Sequence, residues 1–428
     1  MPMPLIASRR FGPMFLCQAL SAFNDNYYKN ALTILVIYEL AGSMGIDAGV
    51  LISGAAAAFI LPFFLCSALA GQLADHYPKY QLVRVLKMTE MGLFICAAIA
   101  LYSGSAWFML GILFLLGLQA AFFGPTKYAI LPELLQPKEL LAGNGLVEAG
   151  TFLAILIGTL LGGLLILGEN GKHIVAWSML TMGAVGLWAA YRVPVTTQCN
   201  PAVLPQANIL KSTFSMVCHA RKDARIFHAI LGISWFWALG ATYLTQIPIF
   251  TKEVVGGNEE VVTFFTGLFS VGIALGSLAC HRLLHGQVSF RFAPYALVFM
   301  ALGGFDIWWL SEHLPAHDET LIGLATYLQT TAHIHLAVSL TLVSIAGGIF
   351  IVPLYTSLQA FSEIQYRART IASNNVMNAL FIATASLAAS VLYGLQFEVR
   401  EVLLIASLLN LPFVLMFYKD KKAETAAQ

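Results

Sequence analysis

Residues 71–87 read GQLADHYPKYQLVRVLK, a charged interruption between two apolar runs. Gly71 permits close approach of helices, and Asp75 stands where a helix end can be capped or paired. Lys79, Arg84 and Lys87 follow as cationic partners for that carboxylate. The surroundings of this stretch are those of a membrane protein. The chain of 428 residues is 58% hydrophobic and 11% charged, with a mean hydropathy of +0.77, whereas a soluble domain carries charge on roughly a quarter of its residues. A span needs about 20 mostly apolar residues. Such windows recur near 13–40, 49–71, 83–104, 106–126, 143–168, 173–193, 226–251, 261–284, 293–312, 333–356, 373–394 and 399–418. The expected fold is therefore all-α and integral to the membrane, with twelve transmembrane helices.

Charge orients them. With the N-terminus inside, only Lys172, Lys252 and Arg400 of the 23 Lys and Arg residues fall outside, and Lys29 lies within a span. This positive-inside bias predicts cytoplasmic N- and C-termini and an even number of helices. The Arg9-Arg10 pair opens an uncleaved first span rather than a signal peptide. A net charge of +1 points to no nucleic-acid partner. The six cysteines lack C-x-x-C spacing and read as small packing residues, so neither a disulfide nor a metal site is expected.

The span around GQLADH ends on the inner side, and its Gly, Leu, Asp and Lys spacing resembles the loop motif G-x-L-a-D-x-x-x-[RK] of the major facilitator superfamily. The resemblance implies two pseudo-symmetric six-helix halves, with Gly71, Asp75, Lys79 and Arg84 as gating residues. Residues 194–225, rich in Pro, Asn and Gln and ending in a basic cluster, read as the linker between a half at 1–193 and a half at 226–428. GQLADH at 71 returns as GSLACH at 276, and NGLVEAG at 144 as NNVMNAL at 374, in the same order. Cys280 replaces the aspartate in the second copy, so an ionic latch is expected on one side only.

The first span is unusually polar. In SAFNDNYYKNALTILVIYEL (21–40), Asp25, Lys29 and Thr33 fall on one helical line and Asn26 and Asn30 on the next, while Asn24 falls on the far side. An ionised group at mid-bilayer costs about 2.5–3.5 kcal/mol on insertion scales, and Asp25 and Lys29 at i, i+4 can offset part of this by pairing. A structural salt bridge needs only two residues, and the accompanying amides point instead to a water-accessible cavity. Lys127 near the end of the fourth span, with Asn144 and Glu148 in the fifth, extends the polar set. Glu90 adds a carboxylate in the third. The second half offers neutral groups, Gln246, Asn374, Asn375 and Asn378, and the aromatic run Trp235, Phe236 and Trp237. A charged half facing an aromatic half describes a cavity for an amphipathic ligand.

SAFNDN, KYAILPEL and NGLVEAG closely resemble the lysophospholipid transporter family. ILGISWFWALGATYLTQIP (230–248) resembles the permease part of bacterial proteins in which that transporter is fused to a 2-acylglycerophosphoethanolamine acyltransferase and an acyl-ACP synthetase. The resemblance covers nearly the whole chain. It implies flipping of lysophosphatidylethanolamine-like lipids across a bacterial inner membrane, with a substrate role for Asp25, Lys127 and Glu148. No enzymatic domain follows Gln428, so a separate acyltransferase is the implied partner. The seventh span presents Trp where a basic partner for a lipid phosphate would stand.

Other patterns point elsewhere. HLPAHD (313–318) matches the H-x-x-x-x-D pattern of acyltransferases but falls in an outer loop, and His313, His317, His333 and His335 have mixed spacing that suits solvation better than a metal. GTFLAILIGTLLGG (150–163) has glycine spacing seen in drug/proton antiporters, which helix packing explains equally well. Proton-coupled efflux of a drug or siderophore-like molecule, with Asp25 or Glu148 carrying the proton, is the alternative reading. No G-x-x-x-x-G-K-[ST] occurs, no cofactor is expected, and the sequence reads as a carrier rather than an enzyme.

Overall fold

The computed structural model describes residues 3–40, 48–201, 206, 208–314 and 320–427. Among them are twelve long helices, here α1 (Gly12–Leu35), α2 (Ala48–His76), α3 (Lys79–Ser103), α4 (Ala106–Leu134), α5 (Leu140–Ile166) and α6 (Gly171–Arg192). After a connecting helix, Ile209–Ala220, come α7 (Ala224–Phe250), α8 (Glu259–Leu283), α9 (Ala293–Glu312), α10 (Thr331–Phe361), α11 (Arg367–Gly394) and α12 (Val399–Lys422). Eleven are long and apolar enough to cross a membrane. The twelfth, α1, has the length but carries the polar face around Asp25. Connections of a few residues make most sequential helices antiparallel, and Arg10 meets Glu139 at the start of α5 as Asp420 meets His228 at the start of α7. The two ends of the described chain therefore lie on one face of the bundle, the termini face, opposite the far face.

Helix boundaries follow local chemistry. Side chains of Ser105, Asp223 and Asn258 accept backbone N–H bonds at the starts of α4, α7 and α8, satisfying donors a helix start leaves open. Gly104 and Gly256, at φ 67° and 69°, end α3 and the last turn beyond α7, positions where a side chain would be strained.

Helices α1–α6 pack among themselves, α1 on α5 and α6 and α2 on α4, and α7–α12 do likewise, α8 on α10 and α7 on α11. The groups meet along two seams, α2 on α11 and α5 on α8. The glycines of GTFLAILIGTLLGG belong to helix packing. A Cβ on Gly158 or Gly162 would stand 2.4 Å from the carbonyl oxygen of Phe23 or Tyr27, so α1 and α5 touch backbone to backbone. The segment after α6 crosses the termini face, where Lys79 Nζ donates to the Gln198 carbonyl at 2.7 Å and the Asn200 N–H donates to the Asp75 carbonyl at 2.7 Å.

Candidate functional site

A cavity of about 260 Å³ lies at mid-height between the two groups of helices. Its polar wall comes from α1 and α4, with Gln18, Ser21, Asp25, Asn26, Gln119 and Lys127. The apolar wall comes from Phe59 and Phe63 of α2, Phe123 of α4, Trp237 of α7 and Ile382 of α11; Asn375 and Asn378 are the amides on that side. At a rise of about 1.5 Å per residue, Asp25 and Trp237 each sit about 20 Å along their helices from the termini face, near the middle of a membrane. Asp25 Oδ1 is buried and, among the described residues, accepts no hydrogen bond. A buried carboxylate oxygen facing a cavity suits a cationic or hydroxyl-bearing guest, or a proton.

Directly behind the wall, Lys87 and Glu90 form a buried pair at 2.7 Å. Ser21 Oγ joins them, accepting from Lys87 Nζ and donating to Glu90 Oε1, each at 2.5 Å. The pair holds α3 to α1 and is fully partnered, as a buried ion pair must be.

The cavity floor, toward the termini face, is a stack of two rings. Tyr128 of α4 and Tyr355 of α10 lie 4.2 Å apart at 8°. Tyr128 Oη donates to Glu148 Oε1 at 2.5 Å, and Trp237 Nε1 donates to Tyr355 Oη at 2.9 Å. Lys127 Nζ lies 4.8 Å from the Tyr128 ring centre. Nothing in the sequence singled out Tyr355, whose aromatic character is ordinary in an apolar span; Tyr128 carried the weak signal of lying beside Lys127.

Below the floor the seams are closed. Asp75 accepts from the backbone N–H groups of Ala368 at 2.9 Å and Arg369 at 3.2 Å, and from Arg369 Nε at 2.9 Å. It thus serves as an N-cap in trans for α11, whose own cap residue, Tyr366, supplies no side-chain bond. This corrects the expected partners of Asp75. Lys79 pairs with Glu133 at 2.9 Å, Arg84 lies against the rings of Tyr80 and Tyr191, and Lys87 is held by Glu90. The reason is direction: Asp75 points across the seam, whereas those cations point back into their own half. Gly71 permits the approach, since a Cβ there would lie 2.6 Å from the Ala372 Cβ. At the other seam Asn144 of α5 exchanges amide bonds with Gln359 of α10 at 2.7 and 3.0 Å. Cys280 there is buried in the apolar core, with its Sγ 3.9 Å from the Ile349 carbonyl oxygen.

The residues expected at one site divide. Asp25, Asn26, Lys127, Trp237 and Asn378 line the cavity together. Lys29 does not bridge Asp25; its Nζ lies 5.9 Å from the centre of the Phe59 ring, so the expected i, i+4 pair is absent. Asn30 donates to the Thr159 carbonyl at 2.7 Å and joins α1 to α5 rather than lining the wall. Asn24 donates to the Met179 carbonyl of α6, on the far side as expected. Asn144 belongs to the seam, and Glu148 stands behind Tyr128, with Oε2 buried and without a hydrogen bond among the described residues. Trp235 points away from the cavity to Asn410 of α12, at 2.8 Å. Gln246 accepts from Tyr393, and Asn374 is buried in α11 outside the wall. A residue's angle on its own helix is legible in sequence, but which neighbour covers that angle is not.

The remaining motifs fall outside the cavity. His313 Nδ1 lies 2.7 Å from the carbonyl of Trp309 in its own helix, and residues 315–318 of HLPAHD, with His317, lie outside the described residues. His333 stacks on Tyr327, and His335 Nε2 lies 3.2 Å from Asp306.

A family model described as the Major Facilitator Superfamily matches residues 14–313. Over 363 residues the chain is 28% identical to the lysophospholipid transporter LplT of Serratia proteamaculans (strain 568), covering 83% of this chain and 81% of that protein. It is 26% identical over 355 residues to LplT of Cronobacter sakazakii (strain ATCC BAA-894), covering 82% and 80%. Among solved structures, the human organic anion transporter MFSD10 (TETRAN) superposes with a TM-score of 0.77 at 16% identity, over 96% of this chain and 99% of that one. At that identity the likeness concerns the fold.

Proposed function

The chain belongs to the major facilitator superfamily and is a multi-pass membrane transporter, and we propose that its cargo is a lysophospholipid of the lysophosphatidylethanolamine type. The observation that carries this reading is the composition of the cavity, a charged and amide-bearing wall on α1 and α4 opposite an aromatic and aliphatic wall on α2, α7 and α11. Asp25 is placed to meet an ammonium and Lys127 a phosphate, with Trp237 and the phenylalanines beside the first part of one acyl chain. The similarity to LplT proteins supports the same cargo.

The halves 1–193 and 226–428, joined by 194–225, rock about this site, with Gly71 and Asp75 at the seam that opens and Lys79 and Arg84 as its flanking supports. In this reading the protein resides in a bacterial inner membrane with its termini in the cytoplasm, surrounding membrane lipids supply the cargo laterally, and a separate acyltransferase or acyl-ACP synthetase consumes it. The protein itself performs no bond chemistry. Burying a chain gains about 0.8 kcal/mol per CH₂, but the membrane offers the same gain. A good carrier of this kind therefore holds the chain weakly and reads the headgroup.

A second reading is favoured by the unpartnered oxygens of Asp25 and Glu148, which suit a proton-coupled efflux carrier. Leaflet-resolved uptake of labelled lysophosphatidylethanolamine in spheroplasts, with and without a protonophore, separates the two. Uptake should survive uncoupling and be competed by other single-chain phospholipids. Asp25→Ala should abolish it, and Asp25→Asn should retain part. Uptake that collapses with the proton gradient transfers the assignment to efflux.

A further inference from the structure

The connecting helix Ile209–Ala220 has three faces rather than two. At 100° per residue, Ser212, Met216 and Ala220 share one face, and all three are buried. Met216 meets Ala68 of α2 and Ala372 of α11, so the helix lies across the very seam that Asp75 closes. About a third of a turn round, Leu210 and Phe214 are 74% and 73% exposed. On the remaining side Lys211 and Ser215 are exposed, and Arg221 and Lys222 follow, also exposed, at the helix end. A helix beside a protein in water needs one apolar face. A second, uncovered apolar face at a right angle to polar residues is what a helix requires when it rests at once on protein and on lipid.

Its height agrees. Ala68 lies eight residues before the end of α2, about 12 Å at 1.5 Å per residue. The 29 residues of α2 are about 44 Å long, against about 30 Å of hydrocarbon. The end of α2 therefore overshoots the hydrocarbon by about 7 Å, and Met216 meets it close to the boundary between headgroups and acyl chains. Lys211, Arg221 and Lys222 then stand at headgroup level. The nearby acid, Asp223, is engaged by Arg225 at 2.7 Å.

We propose that the connecting helix is an interfacial lipid-binding element, its Leu210 and Phe214 inserted among acyl chains and its Lys211, Arg221 and Lys222 paired with anionic phospholipid headgroups, so that the bilayer surface holds a clip across the α2–α11 seam. The inference is independent of the cargo. The occupant is lipid because the helix packs on two membrane-spanning helices, α2 and α11, and the rim of its uncovered apolar face is basic, the complement of an anionic leaflet.

The test uses the full-length protein in nanodiscs of phosphatidylcholine with phosphatidylglycerol, its native cysteines replaced by serine. Single spin labels are placed at residues 210, 211, 214 and 215, and their collision rates with oxygen and with a water-soluble nickel chelate are measured. The oxygen-to-nickel ratio at 210 and 214 should exceed that at 211 and 215 several-fold. It should fall several-fold when phosphatidylglycerol is omitted or when Lys211→Gln, Arg221→Gln and Lys222→Gln are combined. Equal, water-like ratios at all four positions overturn the proposal. Shielding of 210 and 214 from both reagents also overturns it, because it signals a protein surface, a second copy of this chain, over that face. A lipid-like ratio that ignores both phosphatidylglycerol and the basic residues overturns the anionic-headgroup part.

Discussion

The two seams that join the halves are built differently. Along α2–α11, a carboxylate crosses from one half to cap a helix of the other and to pair with Arg369. Along α5–α8, a Cβ at Gly145 would lie 2.6 Å from the Ser277 carbonyl oxygen, so backbone nearly touches backbone, and the neighbouring polar tie is the neutral Asn144–Gln359 pair. The first seam rests on charge and a helix dipole, which water can replace as the seam parts. The second rests on shape, which water does not replace. We propose that the α2–α11 seam is the one that opens and the α5–α8 seam the one that pivots, with Cys280 in place of an aspartate as the residue-level difference between the two copies.

The sharpest break of this contrast is Gly145→Val. Its β-carbon would press on backbone that has no free rotamer, an overpacking of about 3 kcal/mol at the upper end for such changes. Transport should be nearly lost, and cross-linking between cysteines placed across α5–α8 should fall while that across α2–α11 persists. Equal loss at both seams would show that they are one mechanical unit. Asp75→Ala comes next. It removes a cap and one partner of a buried pair, worth about 2 kcal/mol or about 30-fold in the closed-to-open ratio. The maximal transport rate should fall with substrate affinity nearly unchanged, and Asp75→Asn should lie between, since an amide oxygen still accepts one N–H. A large loss of affinity at unchanged maximal rate would move Asp75 from seam to site. The smallest effect belongs to Cys280→Ala, expected within about 0.5 kcal/mol of wild type by thermal unfolding, with normal transport. A tenfold transport defect there would mean that the second copy of the motif still gates.

How far the sequence carried these conclusions depends on what each needed. Twelve apolar windows and the polarity of α1 locate the helices, because membrane insertion is decided segment by segment. The cavity was half legible. Asp25 and Asn26 share a face that can be computed from a 3.6-residue period, and they do line the wall. Trp235 and Trp237 lie two residues apart and so diverge by about 200°; nothing in the sequence says which of the two faces inward. Arg369 was missed although a clue exists. The first turn of α11 holds Arg367 and Arg369 with no acid, and cations at a helix N-terminus require an anion from elsewhere. Glu133, the partner of Lys79, carried no such sign: it lies past the 106–126 window, near the end of KYAILPEL, and only the fold brings α3 beside it.

The floor of the cavity bears on speed. Tyr128 is fixed by Glu148 of its own half, and Tyr355 by Trp237 of its own half. When the halves separate, each ring stays bonded to its mount, and what is lost between the halves is the ring-to-ring contact, the stacking together with the interaction of the Tyr128 and Tyr355 hydroxyls. The stacking is worth about 0.5–1.5 kcal/mol, which by itself retards a step by a factor of roughly two to twelve at room temperature. The floor is therefore a quick shutter. If Asp75 gates as proposed, such a floor would keep water and ions from crossing between turnovers and leave the turnover number to the parting of the carboxylate from its helix.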